Sequence, residues 1–142
     1  MNADQPLPAD NLISSFHDSA TDSIKVLDVD GTVLSFNPAG YDLMELDSPT
    51  DVIGKSWLSL WKGDTEPLAK EALNNAAHGK SGYFEAQRPT KKGTLKWWQV
   101  TILPLKNSHN DIEWILVMSR DVTELHELRK ENTKLKKTAL SQ

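Results

Sequence analysis

The side chains with most catalytic potential are His17, His78, His109 and His126 and the carboxylates Asp28, Asp30, Glu85 and Asp121. Their spacing does not assemble an active site. There is no Ser-His-Asp or Glu-x-x-His arrangement, and the carboxylates fall at turns or strand ends, where capping accounts for them. No pair of histidines has metal-ligand spacing. The sequence contains no cysteine, so it offers no disulfide, thiolate nucleophile or Cys-based metal site. His78 sits at a helix end beside Gly79, where a cationic side chain suits the terminus. His17, His109 and His126 belong to a leader helix, a polar loop and a terminal helix. The expectation is a binding module with no catalytic residues and no metal.

Composition narrows the class. A chain of 142 residues with 38% hydrophobic and 25% charged residues fits one soluble domain plus an appendage. No apolar run approaches the roughly 20 residues needed to span a bilayer, and Met1-Asn2-Ala3-Asp4-Gln5-Pro6 lacks the basic start of a secretion signal. These features point to a cytoplasmic chain without membrane contact. The net charge of −4 is uneven: five Lys/Arg against three Glu from Thr123 onward leave −6 on the preceding part. An acidic body argues against nucleic acid as a partner.

The positioning elements follow from local pattern. Residues 1–8 read as a polar leader, and Asp10 to His17 as a short helix with Leu12, Ile13 and Phe16 on one side. Ser23–Asp28 and Thr32–Phe36 read as strands around Val29-Asp30-Gly31, because Asp-Gly between apolar alternations marks a hairpin. Asn37-Pro38 opens a helix, with Asn as cap and Pro in the first turn. Ser48-Pro49-Thr50-Asp51 is a capped turn closing at Gly54. Asp64-Thr65-Glu66-Pro67 caps a helix through about Ala77, which Gly79 stops. Strands over Tyr83–Arg88, Leu95–Leu105 and Ile112–Met118 complete the order. Strands at both ends around central helices predict an α+β fold with an antiparallel sheet.

These pieces together resemble a PAS domain over about residues 20–123. The matching residues are Asp28-Val29-Asp30-Gly31 followed by Asn37-Pro38-Ala39, then Gly54-Lys55-Ser56, Lys92-Gly93-Thr94-Leu95-Lys96-Trp97-Trp98, Pro104, and Ser119-Arg120-Asp121-Val122-Thr123-Glu124. The resemblance implies a five-stranded antiparallel sheet with helices on one face, a pocket between them, and flanking helices at both ends. It divides the chain into a leader and flanking helix (1–19), the PAS domain (20–122) and an output helix (123–142).

Strand alternation then groups the strand residues by face, and the resemblance implies which face is the inside. Trp98, Val100, Ile102, Ile115, Val117 and Ser119 are expected to face inward, and with Tyr41, Met44 and Trp57 they are the ligand-pocket candidates. Trp114, Leu116 and Met118 face outward. With Leu12, Ile13 and Phe16 they are expected to dock a helix or a second subunit, because both sheet faces are apolar. Flavin-adduct chemistry of the light-oxygen-voltage branch is excluded: that branch reads Gly-x-Asn-Cys-Arg-Phe-Leu where this chain reads Gly54-Lys55-Ser56-Trp57-Leu58-Ser59-Leu60. Ser119 stands at the flavin-contacting Gln. Heme-binding relatives use a pocket-facing His on the long central helix, and this chain has none there. No cofactor is expected, and the pocket is expected to be small or filled by side chains. An apolar metabolite or another cofactor is the alternative ligand class.

The end of the last strand changes period. Leu125, Leu128, Asn132, Leu135 and Ala139 recur at spacings of three and four, the a and d positions of a short coiled coil, and an a-position Asn favours a two-stranded register. Asp121 with Glu124 reads as a capping box. Asp121 and Thr123 are therefore the expected signal junction, with a homodimer and a downstream effector domain as partners in bacterial two-component-type signalling.

Overall fold

The computed structural model describes residues 21–140, with side chains through residue 137. The leader helix expected to carry Leu12, Ile13 and Phe16 lies outside the described residues. The elements are β1 (Ser23–Asp28), β2 (Val33–Phe36), α1 (Pro38–Leu43), α2 (Glu66–Ala77), β3 (Gly82–Pro89), β4 (Leu95–Lys106), β5 (Ile112–Asp121) and α3 (Thr123–Leu140). Three short 3-10 turns, Pro49–Asp51, Trp57–Leu60 and Gly63–Thr65, join α1 to α2. The five strands form one antiparallel sheet in the order β2-β1-β5-β4-β3.

Cross-strand partners share a face, so the register fixes the sides. Ser23 opposes Ser119, Lys25 opposes Val117 and Leu27 opposes Ile115. Val100 opposes Ser119 and Ile102 opposes Val117, while Phe84 opposes Val100 and Ala86 opposes Trp98. This face carries the core, together with α1, the turns and α2. α2 presents Ala69, Ala72, Leu73 and Ala76 to it. The alanines let the helix lie close: a Cβ on Gly82 would come within 2.9 Å of the Ala72 Cβ. The other face carries Ile24, Leu116 and Met118. Leu116 is buried, whereas Trp114 and Met118 are only partly so.

Caps explain where the helices begin, with two departures from expectation. Asn37 caps α1 as its sequence predicts: its Oδ1 accepts from Gly40 N at 3.2 Å and also from Ile24 N at 2.8 Å, so the cap doubles as a clamp on β1. Ser48 and Asp51 form the reciprocal box of the first turn. Thr65, however, does not cap α2. Its hydroxyl donates to the Lys62 carbonyl at 3.0 Å, because the preceding 3-10 turn already feeds helical backbone into α2. The reciprocal capping box at α3 is likewise replaced. β5 runs through Asp121, and its carboxylate accepts from Thr123 N at 3.0 Å rather than from Glu124.

Candidate functional site

The interior behind the sheet is filled by rings. Trp57 and Trp61 lie 6.1 Å apart between centroids, Trp61 and Phe84 5.1 Å apart, and Trp98 is fully buried with Nε1 donating to the Arg88 carbonyl at 3.2 Å. Open space begins at the edge of this packing. A cleft of about 420 Å³ lies between β1, β3 and the turns after α1. Among the pocket candidates named from sequence, only Met44 lines it. Trp57, Trp98, Val100, Ile102, Ile115 and Val117 lie in the packed core instead, Ser119 is buried on the same face, and Tyr41 packs on Phe36 at 4.9 Å.

The cleft is basic, although the chain is acidic. Among the described residues Lys25, Lys55, Lys62, Arg88 and Lys91 line it, against a single acidic residue, Asp51, which pairs with Lys91 at 3.6 Å. Lys25 is only 2% exposed on a central strand. Fully buried lysines are rare unless paired, and this ammonium lies over the face of Phe36, 4.3 Å from the ring centroid. Burial first, and then the nearby Arg88 charge, push the Lys25 pKa well below its usual range. Arg88 lies over Trp61 at 4.8 Å and donates to Leu60 O at 2.8 Å and Met44 Sδ at 3.0 Å. Its Nε is buried without a partner, and burial lowers its pKa to about 10.

One wall of the cleft is clamped. Lys91 N donates to Met44 O at 3.1 Å. Glu45 adopts a left-handed backbone, φ 57°, and accepts a hydrogen bond from the Thr90 hydroxyl. Just before them, Leu43 O accepts from Lys96 Nζ at 2.9 Å. The same ammonium reaches Asp121 Oδ2 at 3.3 Å. Burial opposes the charge on Asp121, but hydrogen bonds from the Thr123 hydroxyl and N–H, with Lys96, outweigh it and hold the carboxyl below its usual range.

The start of α3 is stitched to the sheet edge. Trp97 N donates to Thr123 Oγ1 and Val122 N to Trp97 O, both at 2.9 Å. The His126 ring stacks flat on Trp97 at 4.1 Å and meets Glu85 Oε1 at 2.7 Å. The apolar seam of the helix is exposed: Leu125, Leu128 and Leu135 are 42%, 55% and 62% exposed, and Asn132 is exposed with them. Among the described residues no cluster of His, Asp or Glu is placed to hold a metal, and no helix is long and apolar enough to cross a membrane.

A family model described as the PAS fold matches residues 17–127. The chain belongs to that family. No curated protein sequence matches this PAS domain significantly. Among solved structures, an RNA-binding light-oxygen-voltage receptor is similar at 18% identity and a TM-score of 0.73, with 99% of this chain aligned. The chain spans only 41% of that receptor's length. The PAS domain of a Colwellia psychrerythraea protein aligns at 22% identity and a TM-score of 0.69, covering 82% of this chain and 98% of its own. A domain of a sensory box sensor histidine kinase/response regulator from Geobacter sulfurreducens aligns at 21% and 0.66, covering 80% and 94%.

Lys25, Arg88 and Lys96 were missed from sequence, yet alternation held the signal. Lys25 is in phase with Leu27, and Arg88 is in phase with Phe84 and Ala86, so both point to the helix-covered face.

Proposed function

We propose that this PAS domain is the sensory, non-catalytic module of a cytoplasmic signalling chain, in which the state of the cleft is relayed to α3 through Lys96 and Asp121. The observation that carries this reading is the double engagement of Lys96 Nζ, 2.9 Å from Leu43 O and 3.3 Å from Asp121 Oδ2. Leu43 adjoins the cleft wall at Met44, and Asp121 holds the first turn of α3. A displacement of that wall removes one partner of the ammonium and loosens the other. Coupling through a chain of packed, charge-assisted bonds needs no large motion.

On this reading residues 20–122 sense and residues 123–142 transmit. The exposed seam of Leu125, Leu128, Asn132 and Leu135 pairs with the same helix of a second copy, and the pair hands its register to an effector domain. A solvated helix with about two heptads is marginal alone, which favours such pairing. The outward residues Trp114, Leu116 and Met118 form a second contact face. The reading includes no cofactor: the ring-filled interior around Trp57 and Trp98 and the absence of cysteine support it.

The test is amide hydrogen exchange across residues 121–127 in the native chain and in Lys96→Met, with light scattering on both. Faster exchange confined to that turn, in a dimeric chain, is expected. Unchanged exchange in the variant sinks the relay, and a monomer at high concentration sinks the helix pairing.

A further inference from the structure

The cleft is built around a charge that the described residues do not neutralise. Lys25 is buried on an inner strand with its ammonium over the Phe36 ring, and among the described residues the charge that acts on it is another cation, Arg88. Such a charge is unfavourable to hide, and Met would fill the same space without that cost. Among the described residues the cleft's only carboxylate, Asp51, is already engaged by Lys91 at the rim. Both deep cations are held over rings, which fixes their positions without supplying a counter-charge.

We propose that the cleft binds a small organic acid, its carboxylate against the Lys25 ammonium beside Arg88 and its apolar body against Phe36, Met44, Val52 and Leu60. An inorganic anion would use the charge but not this lining. A hydrocarbon would use the lining but leave the charge bare. The volume of about 420 Å³ suits a small molecule, and the rim lysines Lys55 and Lys62 attract an anion towards the mouth. The inference rests on the reading of the cleft as the sensory site, and it names the ligand class.

The experiment is calorimetric titration of the full chain with hexanoate, with its neutral isostere hexanamide, and with inorganic phosphate. Hexanoate is expected to bind saturably and roughly 10–100-fold more tightly than hexanamide, the range for one charge-assisted bond. Phosphate is expected to bind more weakly than hexanoate. Lys25→Met should erase the preference for acid over amide while keeping its circular dichroism. Equal affinity for acid and amide, phosphate binding as tight as hexanoate, no binding of hexanoate, or an undiminished preference in Lys25→Met each overturns the proposal. Hydrogen exchange of α3 read on the hexanoate-saturated chain separates the two ideas: saturable acid binding that leaves α3 unchanged defeats the relay and leaves the acid site standing.

Discussion

Replacing Lys25 by Met should stabilise the free protein while removing the charge on which acid binding depends. Burying a charged group costs several kcal/mol after relaxation, and a desolvated cation over an aromatic face returns about 2 kcal/mol. The Phe36 contact at 4.3 Å is of that kind. Methionine keeps the apolar stem and drops the charge, so the net gain is roughly 1–3 kcal/mol. With an unfolding entropy of about 2.1 cal/mol/K per residue over 142 residues, the melting temperature rises by roughly 3–10 °C. A pH signature accompanies it. The folded-state pKa of Lys25 lies well below its ordinary 10.5, so between those values the unfolded chain binds more protons and native stability increases with pH. Arg88, lowered to about 10, titrates in the same window and is coupled to Lys25, so the difference between native chain and variant reads Lys25 together with that coupling. Differential scanning calorimetry from neutral to alkaline pH measures both effects. A variant that is less stable at neutral pH, or a difference that stays constant with pH, refutes the claim that Lys25 is an uncompensated buried charge.

Asp121→Asn should unfold more readily in urea at neutral pH by about 1–2 kcal/mol. Because the folded-state pKa of Asp121 is depressed below 3.8, the native chain keeps this contribution above that value and loses it as pH falls through the folded one; the gap to the variant should close in acid. Gly40→Ala places a Cβ 2.2 Å from the Phe36 ring. It should cost about 1–3 kcal/mol by overpacking in thermal unfolding, and it should weaken hexanoate binding because that ring seats Lys25. Leu128→Glu, at a 55% exposed position, should change domain stability by no more than about 0.5 kcal/mol while light scattering reports a monomer.

Much of the frame was legible because strand and helix periods are local. Asn37 caps α1 and the Asp28–Gly31 turn forms where their residue types demand, and Gly79, φ 89°, ends α2. Strand phase likewise put Trp98, Val100 and Ile102 on one face, and the PAS resemblance made that face the inward one. The cleft was not legible for a physical reason. Apolar residues on a buried face pack together unless geometry leaves a gap, and the gap here arises where the backbone turns at Glu45 and around the 3-10 segments, which carry no periodic signal. Net charge carried no trace of it either, since five cations among the described residues gather in a cleft of an acidic chain. Asp121 is the junction expected from sequence, but its partner Lys96 lies 25 residues away in sequence and is brought close by the β4–β5 register, in which Trp98 opposes Asp121.

The central claim is energetic coupling between the cleft wall and the start of α3, and a double-mutant cycle measures it most directly. Amide exchange protection at residues 123–127 is compared in the native chain, Met44→Ala, Lys96→Met and the double variant. If Lys96 carries the signal, Met44→Ala lowers protection of that turn in the native background and changes nothing further once Lys96 is gone. An equal loss in both backgrounds, or no loss in either, contradicts it.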